Sequence, residues 1–348
     1  MAKPLLILFA VACLGTAAFA EGTAEFEYIP RGARADAMGG TGCAAPADAF
    51  APFYNPAGPA LLKDWQAAFE YAPLWDQGDN FTSFAAVLPL PQNRLAMAAS
   101  YSRFQTGDIP YFGELEGGDD VEARNNNIAL RSSGVPLGAF TASSDLLSLS
   151  LAKWTTRELS QEVFYKLTVP VTLSAGGAFK FYRQNFAFDP ALGQPDYEGH
   201  ALDIDLGGLL AFTLDKDLNT GLPTKSFSAG MTLKNALRSS VAYNSSRNYE
   251  DPGERIRLLG FAYTHALPAF SSRAVLTLDL VRRADEQVQR FGAEYAFREL
   301  LFLRAGYLDH GTTAGVGIQW RFVRVDYSYR YHELSSTPYR ISLNIRRP

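Results

Sequence analysis

The sequence predicts an all-β protein: a transmembrane antiparallel β-barrel of about fourteen strands with an N-terminal plug inside the lumen. Three observations predict it. Apolar and polar residues alternate with period two through most of the chain, aromatic residues gather at the ends of the apolar parity, and a Gly/Ala/Pro-rich coil precedes the first strand.

The chain opens MAKPLLILFAVACLGTAAFA. Lys3, the apolar run Leu5 to Leu14, and Ala18-Phe19-Ala20 before Glu21 fit a secretory signal over residues 1–20, cleaved after Ala20. A membrane anchor is the rival reading, but the run is short for a bilayer. A lipoprotein signal would put Cys13 first, and Ala10 matches that pattern poorly. Loss of the leader leaves Cys43 as the one cysteine, so no internal disulfide forms. A net charge of −4 and a pI near 5.7 argue against nucleic acid as a partner.

Residues 21–63 form the expected plug segment, and residues 64–348 the barrel. The coil GARADAMGGTGCAAPADAFAPFYNPAGPALL shows neither a helical stripe nor strand alternation. A barrel of this size encloses more space than its own side chains fill, so it is a channel or is plugged. Backbone lodged there must approach walls closely and turn sharply. Gly39, Gly40 and Gly42 permit this, Pro46, Pro52, Pro56 and Pro59 stiffen the path, and Asn55-Pro56 starts a turn.

The strands follow. Trp65, Ala67, Phe69 and Tyr71 share one parity, as do Leu95, Met97, Ala99 and Tyr101. Leu147, Leu149 and Leu151 oppose Ser148 and Ser150; Leu202, Ile204, Leu206 and Leu210 oppose Asp203, Asp205 and Gly207. Phe227, Ala229, Met231 and Leu233 oppose Ser228, Thr232 and Lys234, whereas Leu258 and Leu259 leave the facing of their strand open. The C-terminal third is cleaner. Leu276, Leu278 and Leu280 oppose Thr277 and Asp279; Phe291, Ala293 and Tyr295 oppose Arg290, Gly292 and Glu294; Val316, Ile318 and Trp320 oppose Gly315, Gly317 and Gln319. Val325, Tyr327 and Tyr329 oppose Arg324, Asp326 and Ser328, and Ile341, Leu343 and Ile345 oppose Arg340, Ser342 and Asn344.

Such alternation means two-faced antiparallel strands. In a soluble sandwich the apolar face would be the interior. Tyr295, Tyr307, Trp320, Tyr329 and Tyr339 instead sit where membrane–water interfaces favour amphipathic rings. The charged parity then faces the lumen, because a lipid-facing charge at mid-depth costs about 2–4 kcal/mol. Strands are expected to start near Trp65, Phe81, Arg94, Phe140, Thr168, His200, Lys225, Arg255, Arg273, Glu286, Glu299, Thr312, Val323 and Thr337. Short breaks at Pro91-Gln92-Asn93, Arg298-Glu299 and Phe322 fall on the periplasmic side. Long connections at 105–138, 187–199 and 235–254 fall outside; those at 155–167 and 214–224 are longer than a periplasmic turn should be.

Met38-Gly39-Gly40-Thr41-Gly42, Ala47-Asp48-Ala49 and Tyr54-Asn55-Pro56-Ala57-Gly58 stand near the start. Gly292-Ala293-Glu294-Tyr295, Arg304-Ala305-Gly306-Tyr307, Asp326-Tyr327 and Arg340-Ile341-Ser342-Leu343 stand near the end. In these stretches the chain resembles PorV/PorQ-type outer-membrane proteins, relatives of FadL-type barrels. The resemblance implies a barrel of the bacterial outer membrane whose plug motif is Met38, Gly39, Gly40, Gly42, Asp48, Asn55, Pro56, Ala57 and Gly58. It implies non-catalytic handling of exported proteins, as an accessory to type IX secretion. FadL-like uptake of hydrophobic small molecules is the alternative, and a structural or adhesive barrel the third reading. The final Ile345-Arg346-Arg347-Pro348 departs from the aromatic ending common in barrels.

Other motifs read blandly. Gly40-Thr41-Gly42 lacks the Lys-Ser/Thr of a phosphate loop. His200, His265, His310 and His332 show no metal spacing, and no serine has a nucleophile's setting, so neither enzyme nor cofactor is expected. Asp119, Asp120 and Glu122 form an acidic stretch that reads first as a solvated loop and second as a calcium site. Glu294 with Arg304, and Asp326 with Arg340, are expected to pair across neighbouring strands within the lumen, as wall braces or plug contacts rather than ligand contacts. Outer-membrane lipid is the remaining expected partner.

Overall fold

In the computed structural model the described residues are 25–74, 79–112, 122, 126–127, 134–161, 167–216, 223–244, 250–251, 253–283, 286–308, 311–331 and 339–347. The leader, Asp119 and Asp120 of the acidic stretch, His310 and His332 lie outside them.

Alternating side chains make alternating strands. These are β1 (Gln66–Pro73), β2 (Asn80–Leu90), β3 (Leu95–Tyr111), β4 (Gly138–Gln161), β5 (Leu167–Phe188), β6 (Tyr197–Lys216) and β7 (Pro223–Lys234). Two short strands follow, β8 (Val241–Tyr243) and β9 (Glu250–Asp251). Then come β10 (Ile256–Leu267), β11 (Ser272–Arg283), β12 (Glu286–Phe297), β13 (Leu301–Leu308), β14 (Gly311–Trp320), β15 (Val323–Tyr331) and β16 (Tyr339–Arg346). All pairings are antiparallel. β1 pairs with β16, β7 with β10 and β5 with β6, so every strand but β8 and β9 belongs to one closed ring of fourteen. The side strands β8 and β9 extend the sheet from the outer end of β6.

Closure leaves the wall without free edges, which a hydrocarbon surround requires. The two faces have the chemistry expected of a membrane barrel. Leu149, Leu151, Leu276, Leu303 and Ile318 project outward and are about half exposed or more, while Ser150, Thr277, Arg304 and Gln319 on the other parity are buried. Trp65, Tyr295 and Trp320 ring one end of the apolar band, and Tyr71, Tyr101, Tyr307 and Tyr329 ring the other. At the Trp65 end, the turns Pro91–Asn93 and Pro268–Phe270 each end on a left-handed residue, Arg94 and Ser271. This short-turn end is the periplasmic one. No helix among the described residues is long and apolar enough to cross a membrane.

The strand borders correct the expectation in one region. β3 runs on to Tyr111 through a bulge after Thr106, β5 reaches Phe188 and β6 begins at Tyr197, so the connections placed at 105–138 and 187–199 are partly strand. The connection at 235–254 contains β8 and β9. On the periplasmic side β4 continues to Gln161 and β6 to Lys216, which removes most of the over-long turns. Leu258 faces inward and is buried, which settles the facing of β10.

Candidate functional site

The interior is occupied by residues 25–64. This segment includes two short helices, α1 (Ala33–Ala37) and α2 (Ala51–Tyr54), and most of its residues are buried, with Lys63 and Asp64 exposed where it leads into β1. Inward-facing glycines let it lie against the wall. A Cβ on Gly306 would come within 2.1 Å of the Gly39 nitrogen, one on Gly207 within 2.2 Å of Asn55 Oδ1, and one on Gly176 within 2.3 Å of the Pro56 oxygen. Gly230 meets Cys43 and Gly292 meets Met38 in the same way. The segment therefore follows the inner wall from β15 and β13 round to β5 without intervening side chains.

Polar contacts fix its course. The Gly39 amide donates to Thr313 Oγ1 at 3.0 Å, and the Gly42 and Cys43 amides donate to Asp279 Oδ2 at 2.9 and 3.1 Å. Met38 is fully buried and its carbonyl accepts from Thr41 Oγ1; Gly40 donates to the Ala35 carbonyl at 2.7 Å. Gly39 and Gly40 both take positive φ, 67° and 71°, where a side chain would be strained. Asn55 Nδ2 donates to the carbonyls of Cys43 (2.9 Å) and Gly208 (3.0 Å), while its Oδ1 accepts from Ala57 N. The Gly58 amide donates to the Asn55 carbonyl, and Ser174 donates to that of Ala57. Of the predicted motif residues, Met38, Gly39, Gly42, Asn55, Pro56 and Ala57 touch the wall, while Gly40 and Gly58 bond back to the segment itself.

Charges on the lumen parity form a chain with both ends on the segment. Arg34 Nε donates to Glu294 at 2.9 Å, Arg304 reaches Glu294 at 2.7 Å and Asp326 at 2.8 Å, and Arg324 joins Asp326 (2.8 Å) to Asp48 (3.2 Å). Glu294 and Arg304 stand opposite each other in register. Asp326 and Arg340 do not pair. Asp326 is opposite Ser342 and Arg340 opposite Ser328, one step further outward, so Arg340 binds Asp36 at 3.2 Å and Glu70 at 3.0 Å instead. Neither Arg31, stacked between Phe53 and Phe81, nor Lys180, which binds Glu27 and Asp205 at 2.8 Å each, was singled out by sequence pattern. The signal available was, for Arg31, a charge in an otherwise small-residue coil and, for Lys180, a charge on the inward parity of β5.

The facing changes at the outer end of β3 to β6. Within the band Tyr101, Leu147, Phe181 and Leu202 face out. Above them the outward parity carries Arg103 with Asp145 and Arg183 with Glu198, the latter at 2.5 Å. The inward parity becomes aromatic over the same stretch. Phe140 stacks on Phe188 at 5.1 Å, Phe188 meets Tyr111 and Tyr197 edge-on, and Phe186 meets Tyr243 at 6.1 Å. Tyr243 packs in turn against the buried cluster of Phe26, Ala72, Leu74, Phe81, Leu146 and Tyr182, where Phe26 and Tyr182 are edge-to-face at 6.3 Å. An aromatic wall thus leads from the outer rim down to the start of the N-terminal segment. Sequence reading missed it because Tyr111, Phe188, Tyr197 and Tyr243 fell in expected loops, while Phe140 and Phe186 stood at the margins of expected strands.

His200 faces out and stacks on Phe181, and His265 bonds Tyr263. No group of His, Cys, Asp and Glu among the described residues is placed to hold a metal ion.

The fold and its two-faced wall define an outer-membrane-type β-barrel. No family model matches the chain, and no curated protein matches it. Solved structures do. The toluene transporter TodX of Pseudomonas putida superposes with a TM-score of 0.50 at 12% identity, over 91% of this chain and 97% of its own. The toluene transporter TbuX of Ralstonia pickettii gives 0.48 at 13% identity, over 91% and 98%, and the NalP translocator domain of Neisseria meningitidis gives 0.37 at 10%, over 81% and 88%. At these identities the TodX likeness is one of fold.

Proposed function

We propose that this barrel admits hydrophobic small molecules through the outer membrane, with residues 25–64 acting as a plug that yields when the ligand enters. The observation that carries this reading is the aromatic inner wall of the outer mouth, continuous with the apolar cluster around Phe26. Outside the membrane an apolar patch costs solubility unless it binds something, and here it faces inward, toward the segment that closes the lumen. Flat rings with few polar groups suit apolar or aromatic ligands. The shared fold with a toluene transporter supports the same reading.

This places uptake ahead of protein-cargo handling. A filled cross-section suits passage of small molecules better than passage of a polypeptide. Docking of exported proteins on the outer surface is the second reading, and it rests on the motifs of the N-terminal segment and closing strands. One experiment separates them. Cells lacking the gene and cells carrying it are compared for uptake of radiolabelled toluene and oleate, and for surface display of secreted proteins. Slower uptake with normal display supports the channel; normal uptake of both probes overturns it.

A further inference from the structure

The outward face of β1 to β5 is not uniformly filled. Ala67, Ala86, Ala99 and Gly177 are small, and between Leu88, Met97, Leu149 and Phe179 they leave a trough of about 800 Å³. Those four larger side chains are each about half exposed, so the trough opens to the lipid side of the wall. Trp65 marks its foot, at the short-turn end of the barrel. That foot is basic. Lys153 follows Leu149 and Leu151 on the outward parity of β4, stands opposite Leu95 on β3 and is exposed. Arg94, exposed at the left-handed end of the turn from β2 to β3, lies beside it, since its carbonyl accepts from the Trp154 amide at 3.1 Å. Next to Trp65 stand two further exposed cations, Lys63 and Arg347, and the Arg347 amide donates to the Trp65 carbonyl at 3.2 Å. Against these four stands the acid Asp64.

Long basic side chains at the edge of a hydrocarbon band lay their stems on apolar surface and carry their charge to the headgroups. These cations therefore meet lipid phosphates at the mouth of a trough that can take the chain of the same molecule. A zwitterionic headgroup brings its own ammonium to that place and is repelled, whereas a phospholipid without a headgroup cation keeps the full attraction. We propose that this surface is a binding site for an anionic phospholipid of the periplasmic leaflet, its phosphate held by Arg94 and Lys153 and an acyl chain lying over Ala86 and Ala99. The site lies on the lipid-facing side of the wall and does not depend on what the lumen transports.

The test uses the full chain purified in detergent, with native mass spectrometry against phosphatidylglycerol, phosphatidylethanolamine and glycerol 1-phosphate. Folding of each variant is checked by heat-dependent gel migration. The wild type is expected to hold phosphatidylglycerol at least tenfold more tightly than phosphatidylethanolamine. The double variant Arg94→Asn/Lys153→Gln, in which Asn tolerates the left-handed turn, should lose that preference. Ala99→Trp should weaken both lipids while keeping it. Arg298→Asn/Arg321→Asn, in the turns from β12 to β13 and from β14 to β15, should bind as the wild type does. An equal loss in that distant variant overturns the proposal, as does an unchanged preference in Arg94→Asn/Lys153→Gln or complete competition by glycerol 1-phosphate. Should the first double variant not fold, Lys153→Gln alone, at an exposed position, must lower the preference at least threefold or the proposal fails.

Discussion

Arg34 and Arg304 donate to the same carboxylate oxygen of Glu294, at 2.9 and 2.7 Å, one from the N-terminal segment and the other from β13. Glu294 also receives Arg273 on its other oxygen at 3.3 Å. The wall charges that brace β12 against β13 are therefore the charges that hold the segment. Glu294 thus joins β12 to β13 and to the segment at one point.

Removing the two partners should then have unequal effects. Arg34→Ala leaves Glu294 with two arginines, so the barrel stays folded, but the segment loses one end of its charge chain. Glu294→Ala leaves Arg34 and Arg304 each short of an anion, a loss of about 3–5 kcal/mol for a buried pair. The expectation is higher single-channel conductance in planar bilayers for Arg34→Ala at wild-type heat stability, and lowered heat stability for Glu294→Ala. Wild-type conductance in Arg34→Ala would mean that other contacts anchor the segment.

The glycine contacts make a sharper steric test. A Cβ on Gly306 has no room beside Gly39, whereas one on outward Gly177 would meet nothing closer than 3.7 Å. Gly306→Ala should raise protease sensitivity of residues 25–64 several-fold, and Gly177→Ala should leave it unchanged. Equal sensitivity in the two variants would show that the segment does not depend on close approach to the wall.

How much of this was legible follows from where parity keeps one meaning. From Ala274 to Ile345 the apolar parity faces lipid throughout, so strand identity and facing can be read directly. Along β3 to β6 the parity reverses its chemistry past the membrane. Leu147, Leu149 and Leu151 point out, while Phe140, Phe186 and Phe188 point in, so the apolar residues change face and the expected borders fall near Phe140 and Ala187, short of the ends of β3, β5 and β6. The Glu294–Arg304 contact follows from one tight turn that fixes register. The partner of Asp326 depended on the register between β15 and β16, across a longer connection, and a two-residue offset sent Arg340 to Asp36 and Glu70. Contacts between segment and wall carry no periodic signal at all.

Asn55 should matter more than its size implies. It is fully buried and satisfies two carbonyls and one amide, so Asn55→Ala strands three polar groups at about 1–3 kcal/mol each. Cys43, whose carbonyl is one of these partners, is fully buried as well. Maleimide should label Cys43 slowly in the wild type and at least tenfold faster in Asn55→Ala, read by mass shift. Unchanged labelling would show that the turn at Asn55 holds without its side chain.

Acid should release the start of the segment late. Burial raises the pKa of Glu27, but Lys180 and Lys234 outweigh it and bring the group down from 4.5 to about 2. Tyr182, Asn235 and Asp205 surround the same site. A depressed carboxylate contributes stability that is complete above its unfolded pKa and fades as pH falls through the folded value. Protease resistance at residues 25–30, assayed with pepsin, should hold at pH 5 and decline between about 4.5 and 2. In Glu27→Gln, resistance should be lower at pH 5 and flat across that window. A wild type that opens above pH 5 would place the sensitive group elsewhere.

The aromatic mouth gives the most direct test of uptake, because it lies beyond the band that stabilises the barrel. Phe140 and Phe188 are stacked on each other and only partly buried, on strand extensions that the membrane does not surround. Replacing both with Ala removes ligand contact area without opening a cavity in the wall or touching the segment's polar contacts. Heat stability should stay at the wild-type value. Aromatic contacts of this kind contribute about 0.5–1.5 kcal/mol beyond area burial, which is two- to tenfold in affinity. Toluene uptake at limiting concentration should fall by that factor and recover at saturating concentration, since the ring pair collects ligand rather than moving the segment. Phe188→Tyr, which keeps the ring, should retain most of the rate. A double variant with unchanged uptake at every concentration would remove the mouth from the transport path.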